Sequence, residues 1–362
     1  MDMNENIRYL EDREKLRSRN LWEEAFHEDS KEFCDYYFHE KIKNNRILVK
    51  EEKGEILSMI HLNPYEIRIK NKQYCLDFIV GVATVEGRRH EGHMKSLLIE
   101  MMKDMYRAKV PFTFLMPASE AIYYPFDFRF ICGIPKWKSI DFQEQIQTEA
   151  GWTEIEPEPK GDKLVNRHPD ASEIAEWMNQ WLKKRYQVHT IRSEAYVKRL
   201  DKELASEKGV WTFLYREDSL AGIHCIWGPG EQRLLYEAGT DRKKMIEVKP
   251  GFMGRVICLE EFVKNIGLKQ EVDLERIEVK LGILDSLIPE NQGLWQWRLD
   301  KAGSVIEKIS TRVPTAEGRE SGYPVFTIGE LIEWLSGYKT FEIEGLLSMV
   351  QPLEGVFFDE VV

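Results

Sequence analysis

The chain has no long apolar run. Across its 362 residues no stretch approaches the about 18 consecutive apolar residues of a membrane span, and the segment Met1–Asn20 lacks the apolar centre of a secretory leader. A cytoplasmic protein that stays off the membrane is therefore expected. Cysteine is sparse: Cys34, Cys75, Cys132, Cys225 and Cys258 are odd in number, scattered, and form no C-x-x-C pair. That pattern argues against a disulfide framework or a structural zinc site. Positive charge is also in deficit, with a net charge of −11. No basic footprint for nucleic acid results, and a cationic small molecule or a basic peptide suits the sign better. Gly-x-Gly-x-x-Gly and Gly-Lys-Ser/Thr are both missing, which excludes a dinucleotide fingerprint and a Walker phosphate loop.

What remains is a globular composition, 43% hydrophobic, 11% aromatic and 31% charged, at a length that calls for two or three domains. Apolar residues at helical spacing (Ile7, Leu10, Leu16, Leu21, Trp22, Phe26, then Phe33, Tyr36, Tyr37, Ile42) give way after Arg46 to period-two strands turning at Gly54 and at Lys70–Gln73. A strand running into a helix over Gly92–Arg107 follows, then a short strand, a short helix, and a strand pair near 129–142. This order predicts an α+β domain with a mixed sheet over 1–147. The prolines of 154–163 read as a linker. A second unit, 148–247, repeats the helices-then-strands order, with Asp170 or Ser172 capping its first helix and Ser193 at the start of the next. A third, 248–362, is expected to open with a helix over 250–266 and to end in an apolar, strand-like tail. The tryptophans of these units, such as Trp295 and Trp297, read as core or interface.

The stretch Arg88-Arg89-His90-Glu91-Gly92-His93-Met94 sits between the strand ending near Val85 and the following helix. His90 and His93 are spaced i, i+3 across a glycine at a helix start, not i, i+4 on one helix face as in metalloproteases, so no metal is expected. Consecutive N–H groups at a helix N-terminus, with Gly92 permitting close approach and Arg88 or Arg89 adding charge, suit a phosphate; the same sequence also suits a plain structural turn. A pyrophosphate-bearing ligand without the two excluded motifs points to coenzyme A.

At this point the stretch resembles motif A of the GNAT superfamily of N-acetyltransferases, Arg/Gln-x-x-Gly-x-Gly/Ala, with Arg89, Gly92 and Met94 in register. The bulky Met94, followed by Ser119–Phe128, is similar to the enhanced intracellular survival family of aminoglycoside and lysine acetyltransferases. The resemblance implies a GNAT domain, a degenerate GNAT-like domain and a sterol-carrier-protein-like domain, often assembled as a homo-oligomer. It further implies acetyl-CoA as co-substrate, with Val80 and Val82 along the acetyl and pantetheine portions, residues 88–94 at the pyrophosphate and Ser119 near the thiol. In the Tyr-x-x-Phe-Gly-aromatic motif the general acid falls on Tyr123 or its neighbour Tyr124, ahead of Phe126 and Phe128, with Asp127 replacing the glycine. The terminal carboxylate, here Val362, is the implied base. Trp22, Glu24, Phe26, Asp29 and Glu360, or Asp359 beside it, are the acceptor-pocket candidates. The rival expectation is a non-catalytic protein that binds acyl-CoA or an apolar ligand.

Overall fold

The structure is a computed structural model and describes residues 6–139, 162–164, 169–216, 219–227, 231–237, 243–312 and 323–360. Its largest element is a nine-stranded mixed sheet. The strands β1 (Ile7–Tyr9), β2 (Arg46–Glu52), β3 (Glu55–Ile69) and β4 (Lys72–Thr84) run antiparallel in succession, and β5 (Phe112–Leu115) joins β4 in parallel. β6 (Arg129–Ser139) forms the far edge. Between β5 and β6 lies the strand Lys243–Val256, antiparallel to both.

That returning strand alters two expectations. The boundary at 248 falls inside it, so the first sheet draws on residues far beyond 147. The helix expected over 250–266 is also replaced: strand persists to Val256, and the helix is only Leu259–Val263. Pairing on both sides overrides the local apolar spacing, and register shifts around Pro250 absorb a residue that has no N–H to give the ladder. Two more readings change. Ile7 belongs to an edge strand rather than a helix, and the strand pair expected near 129–142 is one strand up to Ser139.

Helices cover both faces of the sheet. On one lie α1 (Arg19–Ala25) and α2 (Lys31–His39), packed with Ile47, Val49, Met59 and Ala83; on the other lies α3 (His93–Arg107), packed with Leu48, Ile60, Leu62 and Ile79. The alternation of strand neighbours between the two clusters is the period-two pattern read from the sequence.

The second unit contributes α5 (Ala171–Lys183), capped by Asp170 through the amides of Ser172 and Glu173, and α6 (Glu194–Ser206), capped by Ser193. Its strands Asp162–Leu164, Val210–Arg216, Ser219–Trp227 and Glu231–Glu237 form a four-stranded sheet. A second four-stranded sheet contains Arg276–Leu284, Gly293–Asp300, Ser304–Ser310 and Val325–Thr327, with Trp295 and Trp297 in its core. The strand Val356–Phe357 pairs in parallel with Val188–Thr190, which itself pairs antiparallel with β3, so this segment joins the first sheet.

Candidate functional site

β4 and β5 part company early. Their pairing covers Phe78 with Phe114 and Ile79 with Leu115, whereas β4 continues along β3 to Thr84. Beyond Ile79 the β5-facing edge of β4, carrying half-buried Val80 and Val82, has left that partner. A register shift between Met59 and His61 puts a bulge at Gly81, which has φ +56°. A β-carbon there would lie 2.3 Å from the Trp22 ring, so the position requires glycine for space as well as for conformation.

The chain then makes a short turn, Glu86–Arg88, passes through His90 at φ +67° and Gly92 at φ +81°, and enters α3 at His93. The first intrahelical bond is Ser96 N–H to Gly92 O at 3.0 Å. The amides of the preceding turn therefore precede the helical ladder and form its positive end. Around Gly92 nothing lies within 4 Å of a built β-carbon, which leaves open space beside those amides.

The side chains of this knot divide into two sets. Arg88 donates to Glu52 at 2.9 Å and to Glu91 at 2.8 Å, and Glu91 also meets His93 Nε2 at 3.1 Å. Hydrogen bonds from Arg88 hold the Glu91 carboxyl below its usual range. Arg88, Glu91 and His93 thus brace the loop, and their charges are matched internally. Arg89 is exposed, with only a long bond from Nε to Thr84 O at 3.4 Å, and keeps most of its donors outward. His90 is exposed, and Met94 is half-buried against the α3 core.

After β5, Ser119 occupies the N-cap position of the short helix α4 (Glu120–Tyr123), with no side-chain capping hydrogen bond. Tyr123 is 8% exposed and shares a cluster with Ile79, Leu97, Leu115 and Phe128, against which Val82 and Met94 also pack. Its ring meets Phe128 edge-on at 5.9 Å. Burial pushes its phenol up to about 12, so it stays protonated at neutral pH. Tyr124 is exposed beneath the Arg129 guanidinium. Asp127 takes the left-handed conformation, φ +59°, which its glycine counterpart in the motif would take freely and which Asp tolerates better than most residues. Arg255 of the returning strand bonds the Phe126 carbonyl at 2.8 Å and Asp285 at 2.6 Å, both fully buried, and so fixes this turn from behind.

On the opposite face, Trp22 stacks on Tyr37 at 4.4 Å, leans on Phe26 at 4.9 Å, and donates from Nε1 to Asp29 at 2.9 Å. Burial raises the Asp29 carboxyl, partly offset by that hydrogen bond. The structure gathers Trp22, Phe26 and Asp29 beside the Gly81 bulge and leaves Glu24 exposed on α1. Glu360 lies fully buried against Arg192, its carboxylate bonded at 2.5 Å. Arg192 thus occupies one side of the Glu360 carboxylate, which the resemblance assigns to the acceptor pocket. Val362 falls outside the described residues. Sequence reasoning missed Gly81, Arg192, and the buried group Tyr37, Asn45, His61 and Asn63 under Trp22. Polar His61 and Asn63 at inward positions of an apolar strand were the available signal for that group.

Among the described residues no cluster of His, Cys, Asp or Glu could hold a metal ion, and no helix is long and apolar enough to cross a membrane.

Residues 6–131 match the acetyltransferase (GNAT) domain family. Among solved structures, a conserved protein of unknown function from Enterococcus faecalis V583, described as a probable N-acyltransferase, superposes with a TM-score of 0.70 at 16% identity, covering 97% of this chain and 99% of that one. A GCN5-related N-acetyltransferase from Anabaena variabilis gives 0.70 at 14% identity over 95% and 94%. Eis1 from Mycobacterium abscessus gives 0.65 at 10% identity over 98% and 99%. No curated protein sequence matches. At these identities the likeness is one of fold: a mixed-sheet GNAT domain within a multi-unit chain, the fold of acyl-CoA-dependent acetyl transfer.

Proposed function

We propose that the protein transfers the acetyl group of acetyl-CoA to a primary amine of an aminoglycoside-, polyamine- or lysine-like acceptor. The observation that carries this reading is the opening of the sheet after Ile79 and Leu115, with the amides at Gly92 and the outward Arg89 at one end and Tyr123 at the other. The helix terminus and Arg89 would hold a pyrophosphate, and the released edge of β4 at Val80 and Val82 would hydrogen-bond an extended pantetheine arm.

The chemistry sets the remaining roles. An alkyl ammonium, with pKa near about 10.4, loses a proton before its nitrogen attacks the thioester carbonyl. The new C–N bond forms, the C–S bond breaks, and the departing sulfur takes a proton. Tyr123, kept neutral by burial, is assigned as that donor. Following the resemblance, the base is the carboxylate of Val362 in a protein ending there. Trp22, Phe26 and Asp29, with Glu24 at the rim, form the proposed acceptor pocket, whose acidic character suits a cation. The units near 148–247 and 248–362 are read as a degenerate GNAT copy without a phosphate knot and a sterol-carrier-like domain that support this site in a cytoplasmic homo-oligomer.

Thiol release from acetyl-CoA over a panel of aminoglycosides, polyamines and lysine peptides tests the proposal. Turnover with at least one amine is expected. Binding of acetyl-CoA with no turnover on any amine would favour a binding protein instead.

A further inference from the structure

Arg255, on the strand Lys243–Val256, is fully buried and directs its donors to three places. Nε donates to the Phe126 carbonyl at 2.8 Å, Nη1 to the Val256 carbonyl at 2.9 Å and Nη2 to Asp285 Oδ1 at 2.6 Å. Phe126 belongs to the turn after α4, in which the Asp127 amide donates to Tyr124 O at 3.0 Å and the Phe128 amide to Tyr123 O at 3.4 Å. Asp285 is itself buried with both oxygens engaged: Oδ1 also accepts from the amides of Leu287 and Ile288, each at 3.0 Å, and Oδ2 accepts from Asn291 Nδ2 at 3.0 Å. Asn291, equally buried, returns to the end of the same strand, donating to Ile257 O at 2.8 Å and accepting from the Leu259 amide at 3.1 Å. Residues 285–291 link the strands Arg276–Leu284 and Gly293–Asp300, and Ile288 from this link shares the apolar cluster of Tyr123, Leu115 and Phe128.

A charged pair buried this completely is a poor way to gain stability, because well-packed apolar residues would do as well without the desolvation cost. What a guanidinium with several fixed partners supplies is direction. Here it grips the carbonyl just before the backbone turns through Asp127 at φ +59° and brings Phe128 against the Tyr123 ring. We propose that Arg255, held by Asp285, is a positioning residue for acyl transfer: it fixes the turn Tyr124–Phe128 and with it the aim of the Tyr123 hydroxyl. This rests on the assignment of Tyr123 as proton donor. The link 285–291 then contributes to the reaction through that tyrosine, without meeting either reactant.

The test is a double-mutant cycle on the full-length chain. Arg255→Lys keeps the charge and loses the fork. Expected are a fall in kcat of about tenfold to a hundredfold, a KM for acetyl-CoA within about twofold, and faster hydrogen exchange at the amides of Asp127 and Phe128, with cooperative thermal unfolding retained. In a Tyr123→Phe background the same substitution should lower kcat by less than about twofold more, because the hydroxyl that it aims is gone. Asp285→Asn, which keeps the side-chain shape and removes its charge, should give the same pattern more weakly and serves if the lysine variant does not fold. Unchanged exchange in both variants would overturn the grip on the turn. Faster exchange with unaltered kcat, or losses that multiply in the double variant, would overturn the positioning role alone. Full activity of Tyr123→Phe by itself would instead remove the tyrosine from the mechanism, and the proposal with it.

Discussion

Trp22 and Gly81 meet so closely that the indole fills the space a side chain at 81 would need, with a built β-carbon 2.3 Å from the ring. The contact joins α1 to the bulge of β4, so the proposed acceptor side and the proposed acyl side are set by one packing decision. Gly81→Ala should therefore destabilise by at least about 2 kcal/mol, through overpacking and the positive φ together. Denaturant unfolding reads the loss, and activity per folded molecule should fall with it. A neutral effect on both would mean that Trp22 moves aside freely.

Removing the Tyr123 hydroxyl should leave the fold nearly unchanged, because its ring supplies the packing against Phe128. For Tyr123→Phe we expect kcat to drop by about a hundredfold or more with KM for acetyl-CoA little altered. With the phenol pushed up to about 12, activity should show no tyrosine ionisation near the ordinary value of about 10. A descending limb centred there, or full activity in the phenylalanine variant, would transfer the role elsewhere, with exposed Tyr124 the first place to look.

Arg89 and Arg88 should behave differently although they are neighbours. Arg89→Ala should raise KM for acetyl-CoA several-fold, more so at low salt, and leave stability within about 0.5 kcal/mol, since its side chain touches little of the protein. Arg88→Ala should loosen the knot by freeing Glu52 and Glu91. Equal effects of the two substitutions on KM would contradict the division of labour described for this loop.

Burial holds the His61 imidazole down at about 3, so it is neutral in the folded protein while the unfolded chain takes up a proton below about 6.5. Between those values the unfolded state binds more protons, and stability must rise with pH and be lost as pH falls from about 6.5 towards 3. The slope from this residue alone approaches about 1.4 kcal/mol per pH unit in the middle of that window. Replacing His61 by Gln should flatten that part of the acid limb in urea titrations at a series of pH values. An unchanged slope would show that other groups dominate it.

Local order was largely legible. Gly92 announced the start of α3 because a glycine before a run of helical periodicity suits a helix start, Asp170 or Ser172 announced a cap that the structure gives to Asp170, and a helix was expected from about Ser193. The Tyr123 region was named by resemblance to a motif, and the left-handed backbone at Asp127 suits the glycine that the motif carries. What failed was non-local. The segment from Pro250 to Ile266 has helix-like spacing, yet its first part, up to Val256, is strand because β5 and β6 stand on either side, and only Leu259–Val263 is helix. Arg192 and Glu360 lie 168 positions apart in sequence, and nothing in the neighbourhood of either says that they meet. Gly81 looked like one more small residue in a strand until Trp22 was seen against it.

The strand Lys243–Val256 has a consequence for how the protein comes into being. Because it lies between β5 and β6, the edge strand β6 has no partner in the first sheet until the ribosome has released residue 256, and the facing edges of β5 and β6 lack their hydrogen-bonding neighbour meanwhile. The second unit must be made, and given room to collapse, inside that interval. An N-terminal fragment cut at the apparent linker would carry the Gly92 turn and Tyr123 on the paired strands β4 and β5, but not the strand that joins β6 to them. The working enzyme is thus a product of the whole chain's synthesis order.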